Sequence, residues 1–304
     1  MISRKSLKFK LPLYLVLVTT LPLIILAVFG YRQVNNVYVK QKLGDMMNII
    51  DTKYIHILDL LDRGKAEAAN VASSPAVINS LNEHYGDSGS QDSQKQATVY
   101  LNHMLDEAKM NRKHPFDREV PTRNRYDEFF VLNKEGQVIV STNSDNLNKD
   151  LHNSKFFTVA KTGEVGVVDA YRESEEKTVF GFTAPIYKGS LNTNDEHDPE
   201  HLIGYFGAKV DTGMLALVMT GELGNLTDGQ LFFAGYSKTL DMYIMNKDGQ
   251  MISQSRVLSE DTVLKKKGSE EPLKRALDVN ATGSRTTSAG LETGAREVME
   301  VYDN

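Results

Sequence analysis

Few strings in this chain have the residue types and spacing to do chemistry, and each has a competing structural use. His197-Asp-Pro-Glu-His201 has the H-x-x-E-H order with which some zinc peptidases hold their metal. That chemistry needs both imidazoles and the Glu on one helical face, whereas Pro199 follows a polar run, 192–196, with no helical period. A solvated hairpin loop is the better reading. The stretch 141–150 is rich in Ser, Asn and Asp oxygens that suit calcium. It lacks the Gly and the closing Glu at EF-hand spacing, so it reads as an Asn/Asp turn region. Asp169 and Asp211 remain as a pair of carboxylates for hydrolysis, and strand-end carboxylates are as readily satisfied by backbone N–H groups. No Gly-x-Ser-x-Gly elbow and no glycine-rich phosphate loop opens a helix. There is no cysteine, which removes thiol nucleophiles, thiolate metal sites and disulfides and fits an oxidising compartment. None of these strings calls for a metal or a cofactor. The net charge of −5, with no clustered basic face on the soluble part, argues against nucleic acid as a partner.

The elements that must position any site are clearer. Phe130-Val-Leu-Asn-Lys-Glu-Gly-Gln-Val-Ile139 reads as a β-hairpin whose Asn-Lys-Glu-Gly turn places a Gly where positive φ is needed. The same text returns 113 residues later as Tyr243-Ile-Met-Asn-Lys-Asp-Gly-Gln-Met-Ile252, with five of ten positions identical. A turn kept together with both flanking strands predicts a duplicated supersecondary unit and two modules of similar design. Two unrelated hairpins that converged on good turn chemistry are the plainer alternative. A length of 304 residues also suggests about two domains, and 40% hydrophobic residues suffice to build their cores.

Ahead of the modules, residues 1–10 carry Arg4, Lys5, Lys8 and Lys10, and residues 11–31 run without a charge. About 20 apolar residues cross a bilayer core, and no small-x-small cleavage site follows, so an uncleaved anchor is expected rather than a signal peptide. The basic stub points to a cytoplasmic N-terminus, with Arg32, Lys40 and Lys42 weakening that signal from the far side. A long helix is expected from Arg32 to about Ala72, interrupted at Ser73-Ser74-Pro75. Leu43, Met47, Ile50, Tyr54, Ile57 and Leu61 form an a/d seam on it, which either makes a homodimer or docks on the chain's own sheet. A second helix is expected near 94–110, then a connector with two prolines.

The first module continues with a short helix around 155–161 and strands at 165–171, 178–187 and 202–210. Hairpin, helix and three antiparallel strands make a five-stranded sheet of the PAS type. A connecting helix is expected over 212–220. The second module is expected to hold its hairpin, helices near 259–266 and 272–277, and one strand at 296–302. With the counterpart of the last strand missing, its sheet would end on an unpaired edge, so the chain reads as part of something longer.

Basic stub, apolar span, long helix and two tandem PAS-like modules together resemble the double Cache sensor domains of bacterial chemoreceptors, sensor histidine kinases and cyclic-dinucleotide enzymes. The resemblance covers roughly residues 11–304 and rests on the duplicated hairpin, on Lys155-Phe-Phe-Thr-Val-Ala160, on Val168-Asp-Ala-Tyr171 and on Phe182-Thr-Ala-Pro-Ile-Tyr187. It implies an α+β fold, with a transmembrane helix and stalk helix followed by two PAS-like antiparallel-sheet modules, the second truncated. The implied divisions are a cytoplasmic stub (1–10), a transmembrane helix (11–31), a stalk and helical connector (32–125), a membrane-distal module (126–220) and an incomplete membrane-proximal module (221–304). The implied protein sits in the cell inner membrane, senses a small molecule outside the cytoplasm and signals through a second span to an output domain. A membrane-tethered periplasmic enzyme using an acidic pocket, or a partner-binding ectodomain with no ligand, are the alternatives. Turnover assays and a calorimetric binding screen separate them.

Members of the family that bind amino acids show Arg-x-Trp-Tyr, then Tyr-x-Asp, then an Asp closing the last strand of the distal module. At those positions this chain has Ser154, Phe156 and Phe157, then Tyr171 and Glu173, then Asp211. Ser cannot replace the bidentate Arg clamp on a carboxylate, which argues against an α-amino acid. The resemblance thus implies a ligand site walled by Phe156, Phe157 and Tyr171, with Asp169, Glu173 and Asp211 as its charged groups. Unpaired buried carboxylates and aromatic faces both favour positive charge, so an amine or another cationic or neutral small molecule is the expected ligand.

Overall fold

A computed structural model of the chain describes residues 4–85, 91–110, 123–175, 177–188, 199–220, 243–246, 248–255, 258, 260–268, 286–292 and 296–302. The chain divides into two compact units, Met1–Thr52 with Ala281–Asn304, and Lys53–Asn280. One long helix, α1 (Arg4–Ala72), begins in the first unit and ends in the second.

In the first unit, the part of α1 that is long and apolar enough to cross a membrane among the described residues is Leu17–Tyr38, which overlaps the expected span 11–31. Its Leu, Ile, Val and Phe side chains are exposed, as an unpartnered apolar helix would leave them. Among the described residues, the other element of this unit is a hairpin, β8 (Thr286–Glu292) with β9 (Arg296–Tyr302), paired in register from Thr286↔Tyr302 to Glu292↔Arg296. Only the second of these strands was expected. Thr286-Thr-Ser-Ala-Gly-Leu-Glu292 has one large apolar residue, too few for a period to be read.

The second unit is built on a five-stranded antiparallel sheet. Its strands are β3 (Glu128–Asn133), β4 (Val138–Ser141), β5 (Gly166–Arg172), β6 (Thr178–Tyr187) and β7 (Leu202–Asp211), in the order β4-β3-β7-β6-β5. Side chains alternate across the sheet and give it two apolar faces. One carries Phe129, Val131, Phe180, Phe182, Phe206 and Ala208 against the helices, where Ala68, Val71 and Ala72 of α1, Val77 and Leu81 of α2 (Pro75–His84), and Ala97 and Leu101 of α3 (Gln91–Glu107) are buried. Gly64 lets α1 lie directly on this face, because a Cβ there would stand 2.1 Å from the ring of Phe182. Ser74 ends the run of α1 and caps α2, its hydroxyl accepting from Val77 N, with Pro75 at the first helical position where its missing N–H costs nothing. The a/d seam therefore divides: Tyr54 is exposed, while Leu61 packs on the chain's own core. Leu43, Met47 and Ile50 lie outside the described side chains. The helix expected over 94–110 stops at Glu107, and Lys109–Met110 (β1) instead pairs with Arg123–Asn124 (β2).

The opposite face of the sheet carries Phe130, Leu132, Val138, Val168 and Tyr205 beneath Phe156, Phe157 and Ala160 of α4 (Lys155–Ala160). A further helix, α5 (Gly213–Thr220), follows β7.

The repeated turns match bond for bond. Asn133 N donates to Gln137 O at 3.0 Å, and Asn246 N donates to Gln250 O at 2.9 Å. The Asn133 Oδ1 accepts from Glu135 N and Gln137 N at 3.1 and 2.8 Å, and Asn246 Oδ1 accepts from Asp248 N and Gln250 N at 3.1 and 2.9 Å. Gly136 and Gly249 both take positive φ, +90° and +75°. The likeness extends into the following loops: Val138 N donates to Lys149 O, and Met251 N donates to Lys266 O, each at 2.9 Å. The second hairpin pairs through isolated bridges, Met245↔Met251 and Gln250↔Lys267. No helix forms at the described residues of 259–266. Leu264 takes φ +56° there and donates to Met251 O, which limits the segment to a single turn. The helix expected near 272–277, like the loop 189–198, lies outside the described residues. Because each Asn oxygen holds two backbone N–H groups, Asn133→Ala and Asn246→Ala should each cost about 1–3 kcal/mol. Urea titration of the two variants checks the duplication, which expects similar costs.

Candidate functional site

On the α4 face, one end of the sheet gathers charge. Glu128 and Lys209 are direct cross-strand partners between β3 and β7, and their side chains point to the α4 side with Phe130. Lys209 Nζ lies 2.7 Å from Glu128 Oε2 and 2.7 Å from Glu173 Oε1. Glu128 is tied further, accepting from Ser141 Oγ at 2.7 Å and from Asn146 Nδ2 at 2.8 and 2.7 Å. Lys177 Nζ continues the series, 3.4 Å from Glu173 and 3.0 Å from Asp127. The groups thus alternate in sign, Asp127–Lys177–Glu173–Lys209–Glu128.

Aromatic rings frame this chain of charges. Lys209 Nζ stands 5.5 Å from the centre of the Phe130 ring. Phe156 meets Phe130 edge-on at 5.1 Å and Tyr171 edge-on at 6.2 Å. The strands leave room for these rings only where they have glycine. A Cβ on Gly207 would stand 2.2 Å from Phe130, and one on Gly181 would stand 2.3 Å from Ala208 O and 2.4 Å from Phe156.

The charges shift one another in ways their positions explain. Burial works against the charge of Lys209, but its bonds to Glu128 and Glu173 outweigh it and hold the ammonium above the ordinary lysine range. Burial likewise works against the Glu173 carboxylate, and Lys209, then Lys177, outweigh it and hold the carboxyl below its usual range. Asp127 goes the other way: burial raises it, Lys177 offsets only part of that, and Asp211 and Glu173 add to the rise. The Tyr171 hydroxyl is pushed up to about 12, chiefly by burial, with Lys209 opposing and Glu173 and Glu128 adding.

These directions set a pH window. A depressed Glu173 stabilises the fold above its unfolded value of about 4.3 and loses that contribution as pH falls through its folded value. Raised Lys209 and Lys177 contribute below about 10.4 and lose it as pH climbs through their folded values. Asp127, being raised, opposes Glu173 on the acid side. Urea midpoints should therefore be level from about pH 6 to about 10 and fall outside that range, and Glu173→Gln should flatten the acid limb.

The residues expected from the sequence meet this cluster unequally. Phe156, Tyr171 and Glu173 stand in it. Phe157, the next residue of α4, is buried against Tyr205 instead, edge-on at 5.7 Å. Asp169 turns to the backbone, accepting from Ala170 N at 2.8 Å. Asp211 lies two positions beyond Lys209 on the same side of β7, is exposed, and accepts from Gly213 N at 2.6 Å at the start of α5. Ser154, at the position of the family's Arg, caps α4 by accepting from Phe157 N at 3.1 Å. The sum of charge behind the expected amine counted Asp169, Glu173 and Asp211 and left out Lys209 and Lys177. A lone Lys in the otherwise apolar run Leu202–Val210, and a Glu heading Phe129-Phe-Val-Leu132, were the available signals. Only the strand register shows that they face each other.

Two contacts lead away from the site. Arg172, next to Glu173, donates through Nη2 to Val263 O at 2.9 Å in the second hairpin's loop, and through Nη1 to Glu175 O at 2.7 Å. Lys53 of α1, buried, donates to Val218 O at 2.9 Å in the last turn of α5, where a cation suits the helix dipole.

Solved structures place this architecture. Methyl-accepting chemotaxis protein X matches over 89% of this chain and 93% of its own, at 14% identity and a TM-score of 0.52. The fold is of the Cache type. At TM-scores of 0.45 and 0.47 stand the V. cholerae histidine kinase DctB sensor domain, 11% identical over 59% of this chain, and an extracellular ligand binding receptor from Desulfohalobium retbaense DSM5692, 10% identical over 80%. The chain spans 60% of the first and 35% of the second. Neither a family model nor a curated protein matches it.

Proposed function

We propose that this chain is the extracytoplasmic sensing region of a membrane-anchored bacterial signalling receptor, with its ligand bound in the first module between α4 and the sheet. The observation that carries this reading is the charged cluster beneath Phe156 and Tyr171. A buried ion pair contributes little to stability compared with well-packed apolar residues, so the buried Glu128–Lys209 pair on an otherwise apolar face, continued by the partly exposed Glu173 and Lys177, suggests recognition rather than scaffolding. The apolar stretch of α1 supplies the membrane anchor, with the basic stub in the cytoplasm. The signal leaves through the long helix. Asp211 opens α5 two positions beyond Lys209, and the far end of α5 is bonded to Lys53 of α1, so a ligand that alters the charge around Asp211 acts on α1 through one short rigid element.

Calorimetric titration of the full chain in detergent micelles against amines, amino acids, sugars and organic acids tests the binding claim. At least one class should bind, and Asp211→Ala should change its affinity while the chain stays folded. Binding that Asp211→Ala leaves unchanged would remove Asp211 from the route. Reporter fusions after residue 120 should be active in the periplasm and silent in the cytoplasm, and the opposite pattern would overturn the receptor reading.

A further inference from the structure

Lys209 has two carboxylate partners of very different standing. Glu128 is permanent: its side chain is 4% exposed, and Ser141 and Asn146 hold the oxygens that Lys209 shares. Glu173 is 29% exposed and is held by ammonium groups, those of Lys209 and Lys177, from the turn between β5 and β6. The Lys209 ammonium itself is fixed, its side chain 7% exposed above the Phe130 ring. We propose that the site takes a carboxylate by exchange: a short carboxylic acid displaces the Glu173 carboxylate from Lys209 and fills the space of that side chain, which is the space of a propionate. The proposal names the ligand class of the sensor site and rests on the sensor reading above.

The charge balance favours an anion over an amine. With Glu173 swung into water, Lys209 and Lys177 face Glu128 and Asp127, and an incoming carboxylate restores the original sum. An amine would instead have to displace an ammonium already in contact with two carboxylates, and would then lie beside it, where like charges repel. Phe130 and the edge of Phe156 offer the hydrocarbon part of the acid an apolar wall. Glu173 is also a competitor tethered to the site, present at an effective concentration on the order of millimolar or above. Wild-type affinity for a short acid should therefore be modest, and removal of the tethered carboxylate should raise it.

Titration of the full chain in detergent micelles with sodium propionate, with sodium chloride and ethylammonium chloride at equal ionic strength as comparisons, tests this. Glu173→Ala should bind propionate at least about tenfold more tightly than wild type. Adding Lys209→Met should abolish that binding, and because this strands Glu128, the triple variant E128Q/E173A/K209M serves as the folded version of the same test. Propionate no better than chloride in Glu173→Ala, equal binding without Lys209, or preference for ethylammonium overturns the proposal. Should that happen while a wider screen finds an amine or neutral ligand for the wild type, the sensor reading stands alone. If no small molecule binds wild type or Glu173→Ala, both fall.

Discussion

Lys209→Met should lower the unfolding free energy by about 3–5 kcal/mol, far more than the loss of a surface charge. Glu128 is the reason. Its carboxylate is buried, and without the ammonium it must ionise uncompensated or take up a proton that its donors, Ser141 and Asn146, do not favour. Exposed pairs such as Arg63–Asp59 on α1 are worth at most about 1 kcal/mol, so the comparison is decisive in one set of urea titrations. The double variant E128Q/K209M should recover most of the loss, because it removes both charges and keeps their volumes. If Lys209→Met is as stable as wild type, Glu128 and Lys209 do not form a buried pair.

Phe156→Ala should cost a comparable amount, about 3–5 kcal/mol. The ring is almost fully buried, meets Phe130 and Tyr171 edge-on, and fills the hollow left by Gly181. Truncation therefore leaves a void bounded by two aromatic rings and a strand that has no side chain to close it. Phe156→Leu, which fills part of the hollow, should cost about 1–2 kcal/mol. The same two variants separate packing from recognition, since Phe156→Leu should weaken ligand binding by more than its small stability cost would suggest.

The scaffold of the first module was legible because local chemistry fixes it. Asn133 and Gly136 announce a turn, and the copy at Asn246 and Gly249 predicts the same bonds, which form. The strand Thr178–Tyr187 is found with the bounds expected, since turn residues flank a long apolar run. Ser73-Ser74-Pro75 interrupts the long helix as expected, whereas the helix that starts there, α2, was not expected, although its cap chemistry is local. The charged cluster was only half legible. Tyr171 and Glu173 were named by resemblance, whereas Lys209 and Glu128 are 81 residues apart in sequence and meet only through the β3–β7 register. Asp169 and Asp211 accept from backbone N–H groups, the alternative that the sequence offered to a hydrolytic pair, because an Asp carboxylate reaches the N–H groups next to it. Leu264 at positive φ, which holds residues 260–266 to a single turn, is a cost that tertiary bonds impose and that no helix propensity foretells.

The proposed ligand site lies between α4 and the sheet of the first module. Hydrogen exchange of the full chain in lipid nanodiscs, with and without a saturating ligand found by calorimetry, tests it most directly. Protection should rise in Ser154–Ala160 and in Tyr171–Lys177, and should change further along α5 and around Val263, where Lys53 and Arg172 make their contacts. Protection confined to the second hairpin or to α3, with Ser154–Ala160 and Tyr171–Lys177 unchanged, would rule out this site.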